Sequence, residues 1–414
     1  MVSRRRIART LGPWSRQLLH AWRHAPPHSP RRSRGGSGAA ALRSPHRLTP
    51  SARKSRADEL IRRAAATRGL ISFAGGLPDP ARFPKRELSR AFLAGLQRHA
   101  DVALQYSWPE GDEELRREVA KLLRSRGAKV PLQRIIITSG AQQALSVAAL
   151  AAPRRRRIGV EPESYPGALD VFRAMGAKLV PLTARADLQY VMPSVSNPRG
   201  SRLGAAQRRE VLARARGDRY VIEDDAYDGT TFSQERSRPL LAIAPERVFH
   251  VGTFSKTLSP GLRIGWLVAP THLHQRAIAK KQAQDLQASG LSQALLVEYL
   301  RSGHLPEHQR RSAKAYQRKL MHLQLAVRRH LPDFRFGAPI GGFSLWLESD
   351  LELDELKLLE ASVKARVSFD LASNFRAQPS SKLALRLCYS AVPVEQIEPG
   401  VKRLAQALAR VQRL

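Results

Sequence analysis

The sequence predicts an α/β protein, a mostly parallel β-sheet covered by helices on both faces, followed by a smaller α+β part at the C-terminal end. Two features carry that expectation. Between residues 134 and 255 short apolar runs ("RIIITSG", "RIGVEPES", "KLVPL", "LQYVMPSV", "YVIEDDAY" and "RVFHVGTFS") alternate with stretches of helical periodicity. Continuous apolar runs between helices are the mark of strands buried on both faces, as in a parallel sheet. Beyond about Lys280 the pattern turns helical through "HQRRSAKAYQRKLMHLQLAVRRHL", then closes with two strand-like runs, "GGFSLWLES" and "LALRLCYS", and a helix over 394–411.

In chain order, a helix is expected from Ala57 through Thr67, and a chain reversal where Gly75, Gly76 and Pro78 break the apolar segment "LISFAGGLPDPARFP". Apolar residues at helical spacing predict a helix from Glu113 to Arg126, and "RIIITSG" predicts a buried strand ending in a tight turn before a helix over 142–152. We divide the chain into a basic, disordered extension (1–55), an N-terminal segment packing with the small part (56–90), a large domain (91–284), and a connecting helix with the small C-terminal domain (285–414).

With 414 residues, 43% of them hydrophobic, the chain can bury a core in each part. The single cysteine, Cys388, excludes a disulfide framework and a cysteine-based zinc cluster, which fits a reducing, cytoplasmic setting. No metal site is expected. The longest apolar run, Ala144 to Ala152, is too short to span a membrane.

The net charge of +35 is unevenly spread, with 14 Arg and Lys and no acid in residues 1–57. No basic patch interleaved with aromatics accompanies the rest, so DNA is a candidate partner only through the N-terminal arm. That arm is Arg-, Pro-, Ser- and Gly-rich, and its start, "MVSRRRIARTLGPWSRQLLHAW", is also compatible with a mitochondrial presequence.

Ligands of an open parallel sheet sit at the carboxyl ends of its strands, so the strand-to-loop junctions are where chemistry is expected. In "TSGAQQAL" a strand closes and a helix opens at Gly140, Ala141 and Gln142, presenting N–H groups and a helix dipole to an anion. In "GTFSKTLSPGLRIGW" Lys256 follows a buried strand, where desolvation frees an amine for Schiff-base chemistry. Thr253, Ser255 and Arg263 are donors for a phosphate ester. In "IEDDAYDG" Asp224 ends a strand, placed to keep a pyridine nitrogen protonated, with Tyr227 able to bond a phenolic oxygen. Asn197 precedes a proline in "SVSNPRG", and Arg386 lies inside an apolar strand, where a guanidinium calls for an anion such as a substrate carboxylate. Each signal alone has an ordinary explanation, a turn, a cap or a solvated loop lysine.

Together, and in this order, they resemble the fold-type I pyridoxal-phosphate (PLP) enzymes of aminotransferase class I/II. Within them the chain is similar to the aminotransferase-like domain of MocR-type regulators, of the GntR family, and to aminoadipate-type aminotransferases. The resemblance covers about residues 65–411 through "ISFAGGLPDPARFP", "YSWPEGDEELR", "ITSGAQQAL", "YPGALDVF", "IEDDAYDG", "VGTFSKTLSPGLRIGW" and "GHLPEHQRRSAKAYQRK". It implies a PLP cofactor on Lys256, Asp224 at the ring nitrogen, Tyr227 and Asn197 at the phenolic oxygen, and Tyr165 against the ring face. It implies a phosphate held by Gly140, Ala141, Gln142, Thr253, Ser255 and Arg263, and a homodimer in which Tyr106 reaches the neighbouring site. It assigns Arg386 and Gly76 to the substrate, and implies amino-group transfer between an amino acid and a 2-oxo acid. The chain departs from the pattern at Ala141, where many relatives carry a hydroxyl, and at Arg199, in place of the threonine of "NPTG". A regulator whose winged-helix part is truncated or lost is the alternative function, and a carbon–carbon bond-forming PLP enzyme a third.

Overall fold

The structure is a computed structural model that describes residues 59–60, 67–233 and 236–413. The expected extension over 1–55 and most of the helix expected over 57–67 lie outside these residues. Two sheets organise the rest.

The larger sheet has seven strands in the order β2-β8-β7-β6-β5-β3-β4. They are β2 (Ile135–Thr138), β3 (Arg157–Val160), β4 (Lys178–Pro181), β5 (Leu188–Val191), β6 (Tyr220–Asp224), β7 (Val248–Thr253) and β8 (Gly265–Val268). β2, β5, β6 and β7 are buried at every position, so both faces of the sheet are covered and the strands read as unbroken apolar runs. β8 pairs antiparallel with both β2 and β7, while all other pairings are parallel. Every strand but β8 therefore points its carboxyl end to one edge.

The covering helices include α1 (Lys85–Ala103), α2 (Glu113–Arg124), α3 (Ala141–Ala151), α4 (Pro166–Ala174), α5 (Ala205–Arg214), α6 (His274–Asp285) and α7 (Gly290–Arg301). α2 starts where the Asp112 carboxylate accepts the Leu115 N–H, and acids at Glu113 and Glu114 suit the positive end of its dipole. α3 is almost wholly apolar and lies in the core, with Ala144, Leu145, Val147 and Ala148 fully buried.

The smaller sheet, in the order β1-β10-β11-β9, unites both ends of the described chain. β1 (Ile71–Phe73) pairs in parallel with β10 (Val367–Leu371), which pairs antiparallel with β11 (Ala384–Cys388), and β11 with β9 (Ser344–Glu348). Helices α8 (Leu305–His330), α9 (Glu355–Lys364) and α10 (Val394–Gln412) complete this part. A Cβ on Gly400 of α10 would come within 2.5 Å of the Phe73 ring, so the glycine lets α10 close down on β1. The apolar patterning anticipated β9 and β11 but not β1, which has three residues, β8, which opens on a glycine, or β10.

Candidate active site

β6 and β7 are parallel neighbours, with Asp224 opposite Val251, so their carboxyl ends open into the same space. Asp224 is 2% exposed. Its Oδ2 accepts the Tyr190 hydroxyl at 2.8 Å and its Oδ1 the Ala226 N–H at 3.1 Å. Burial pushes the carboxyl up to about 6, against the pull of those two hydrogen bonds. The anion sits in a dry place served by neutral donors, and a cation beside it would relieve the burial.

Lys256 lies three residues past the end of β7. Burial lowers its amine to about 8, helped by the Arg386 charge and opposed by Asp224. Its Nζ donates to the Gly76 carbonyl at 3.1 Å and stands 5.5 Å from the Tyr227 ring centroid and 5.9 Å from that of Phe343. Tyr227 packs edge-on to Phe343 at 5.4 Å, and burial raises its hydroxyl, so it remains a donor at all working pH.

On the other side of the space, α3 begins at Gly140, which has φ +94° and no side-chain cap. The first-turn N–H groups are thus free of side-chain acceptors and carry the positive end of the dipole. A Cβ on Gly140 would meet Arg263 Nη2 at 2.7 Å, so glycine is required both by the backbone and by the guanidinium. Arg263 Nη2 donates to the Ser139 carbonyl at 3.0 Å. The Thr253 hydroxyl lies 3.0 Å from Ser255 Oγ, and Gly265 of β8 lies directly against Gly140 and Ala141. Gln142 uses its amide differently, donating to the Gly167 carbonyl at 2.8 Å and accepting from the Tyr165 hydroxyl at 3.3 Å, which holds Tyr165 over the site.

Arg386, on β11, closes the space from the smaller sheet. Its Nη1 donates to Asn197 Oδ1 at 2.9 Å, and its Nε and Nη2 both donate to Asp370 Oδ2, at 3.0 and 2.7 Å. It stacks over Phe375 at 4.4 Å. The Asn197 contact with Arg386 was not anticipated. Its amide NH2 is left for another acceptor. A Cβ on Gly76 would lie 3.4 Å from both Nη atoms, so Gly76 keeps the end of the guanidinium uncovered.

Tyr106, in contrast, is 80% exposed, beside an equally exposed Trp108. Arg199 is spoken for as well, since it pairs with Glu163 at 2.9 Å and with Glu348 at 2.8 Å. Sequence reasoning missed Tyr190, Asp370 and Phe343. The signal for the first two was a polar group inside a buried strand, in "LQYV" and "VSFDL". Behind β6, Glu223, Asp225 and His250 come within 4.8 Å of one another. Glu223 accepts from the N–H groups of Leu240 and Leu241 and pairs with His250, and Asp225 Oδ2 pairs with Arg126.

An uncapped helix start with an arginine and hydroxyls suits a phosphate, a buried acid among neutral donors suits a pyridinium, and a desolvated amine suits an aldehyde. The residues fit pyridoxal phosphate. A seven-stranded sheet with one antiparallel strand, carrying such a lysine at its carboxyl edge, defines a PLP-dependent transferase of fold type I.

The family model for aminotransferase class I and II matches residues 82–404, and the chain belongs to that family. It is 34% identical to 2-aminoadipate transaminase of Thermus thermophilus over 82% of this chain and 90% of that protein. It is 30% identical to aromatic-amino-acid aminotransferase 1 of Thermococcus litoralis, over 83% and 88%. A similar structure is LysN, the α-aminoadipate aminotransferase of Thermus thermophilus, solved with N-(5'-phosphopyridoxyl)-L-leucine, at a TM-score of 0.78 and 31% identity, covering 87% of this chain and 97% of that one. An uncharacterized HTH-type transcriptional regulator of Bacillus subtilis, YisV, is 29% identical over 75% of this chain and 68% of that protein. Family membership makes the protein a transaminase and PLP the cofactor its family implies.

Proposed function

We propose that the protein moves an amino group between an amino acid and a 2-oxo acid, with PLP held on Lys256. The observation that carries this reading is the pairing of a buried amine at about 8 with a buried carboxyl at about 6 at the carboxyl ends of adjacent strands. The cofactor would be held by Asp224, Tyr227, Asn197 and Tyr165 around its ring, and by the start of α3, Thr253, Ser255 and Arg263 at its phosphate. Bound there, PLP supplies an aldehyde for reversible imine exchange and a protonated ring that takes up the electron pair left when a Cα proton is removed.

The chain's own residues do the rest. Lys256 is unprotonated in part near neutral pH and takes and returns the proton at the substrate Cα. Asp224 keeps a proton on the ring nitrogen, because the pair satisfies a charge that is otherwise buried alone. Tyr190 holds Asp224 in place through its hydroxyl. Arg386 faces the α-carboxylate, and Gly76 lets it approach.

The substrate space lies between a large domain, 91–284, and a small one, 285–414. Tyr106, exposed on its own chain, is assigned to the site of a second copy in a homodimer. A cytoplasmic location agrees with Cys388, which is a buried free thiol, and no helix among the described residues is long and apolar enough to cross a membrane.

The test is borohydride reduction of the PLP-loaded protein with peptide mapping, followed by amino-group exchange at multiple turnover. Label on Lys256 and sustained exchange are expected. Label elsewhere overturns the site. Label on Lys256 with chromophore changes but no turnover would move the reading to a metabolite-sensing regulator, a role that relatives named as transcriptional regulators keep open.

A further inference from the structure

Arg386 already has an anion. β10 and β11 are antiparallel with Asp370 directly opposite Arg386, which places the two side chains on one face of the sheet. Asp370 Oδ2 takes both Nε and Nη2, and the two side chains are 13% and 7% exposed. The carboxylate is fixed from two more sides. The Gly75 N–H donates to both its oxygens, at 3.2 and 3.0 Å, and the Cys388 thiol lies 3.6 Å from Oδ2, kept neutral by the burial that pushes it up to about 12. Only the remaining N–H donors on Nη1 and Nη2, beside Gly76, are open to a ligand.

Resting on the transaminase reading above, we propose that Asp370 is a specificity-determining residue that counterbalances Arg386, so that the site discriminates only weakly between an α-amino acid and the corresponding primary amine. An incoming α-carboxylate meets a neutral ion pair instead of a lone cation. Its attraction to Arg386 is offset by repulsion from Asp370 a few ångströms away, and its desolvation is as costly as ever. An amine without the carboxylate escapes both effects, because it needs only the imine exchange and the side-chain pocket. The bonds to Gly75 and Cys388 keep Asp370 from swinging aside.

The test uses the PLP-loaded protein and two ligands that differ only in the carboxylate, L-alanine and ethylamine, with dissociation constants read from the shift of the cofactor chromophore. For the wild type the two constants lie within about tenfold. In Asp370→Asn, which keeps the shape and an acceptor for Gly75 and Arg386, L-alanine tightens by tenfold or more while ethylamine changes by less than about twofold. Tenfold corresponds to ~1.4 kcal/mol. Propionate, which has the carboxylate and no amine, binds the variant tenfold tighter by calorimetry, a readout that needs no exchange chemistry. Arg386→Gln removes the difference between wild type and variant. Asp370→Ser serves if the asparagine variant melts early, with the same shifts expected. An unchanged alanine-to-ethylamine ratio, or weaker alanine binding, overturns the proposal and makes Asp370 a support for Arg386. If neither amine perturbs the chromophore, the transaminase reading falls, and the propionate titration then decides the role of Asp370 by itself.

Discussion

Asp224→Asn should make the cofactor-free protein more stable at pH 8 while weakening its hold on PLP. Burial raises the Asp224 carboxyl from 3.8 to about 6. A folded-state value above the unfolded one means that protonation favours the native state, so the group costs nothing well below pH 4 and its full amount above pH 6. About two units at ~1.4 kcal/mol each make that cost ~3 kcal/mol at pH 8. Asparagine removes the charge but must turn one end toward Tyr190 as a donor, which leaves the buried hydroxyl without an acceptor at ~1 kcal/mol. A net gain of ~2 kcal/mol remains at pH 8. At pH 4.5 the cost of the charge has shrunk to ~1 kcal/mol, so the gain disappears. Urea unfolding of the two cofactor-free proteins at both pH values measures this directly. Adding PLP should invert the order, because the wild type gains binding energy that the variant lacks. A variant no more stable than wild type at pH 8, or equally stabilised at both pH values, would refute the account of Asp224 as a buried charge awaiting a cation.

Tyr190→Phe removes a hydrogen bond that lowers the Asp224 carboxyl, so the acid edge of PLP retention should move to higher pH, and an unmoved edge in a dialysis series would count against this role. The rate at which PLP forms its chromophore should climb about tenfold per pH unit and level off above about 8, where Lys256 is mostly unprotonated, whereas a climb continuing to pH 10 would mark an ordinary solvated lysine. Arg126→Leu strands Asp225, whose side chain is 1% exposed, and should cost ~3–5 kcal/mol by urea unfolding. A loss under ~1 kcal/mol would mean that the Ser194 hydroxyl beside Asp225 suffices. Gly140→Ala should weaken PLP binding, since its Cβ presses on Arg263 and its backbone needs φ +94°, and unchanged affinity by chromophore titration would remove the start of α3 from the phosphate site.

What the sequence displayed was whatever depends on neighbours along the chain. Six strands of the larger sheet were legible because each is an apolar run, and Asp224, Lys256 and Gly140 were legible because each sits at or just past the end of such a run. β1 was not, since its three residues acquire their strand character from β10, nearly 300 positions away. β8 was hidden because it starts at the end of "SPGLRIGW", where the arginine and glycines read as loop.

The same distinction explains the two readings of Arg386. A buried arginine in an apolar strand announces that an anion must exist, and both a substrate and a side chain meet that requirement. Which of them does so is decided by the register of β11 against β10, a tertiary property in which a slip of one residue would turn Asp370 to the other face. In the observed register the arginine is neutralised before any ligand arrives. On the assignment proposed above, a substrate carboxylate is a second anion at that guanidinium, and the selectivity of the site follows from residue 370 as much as from residue 386.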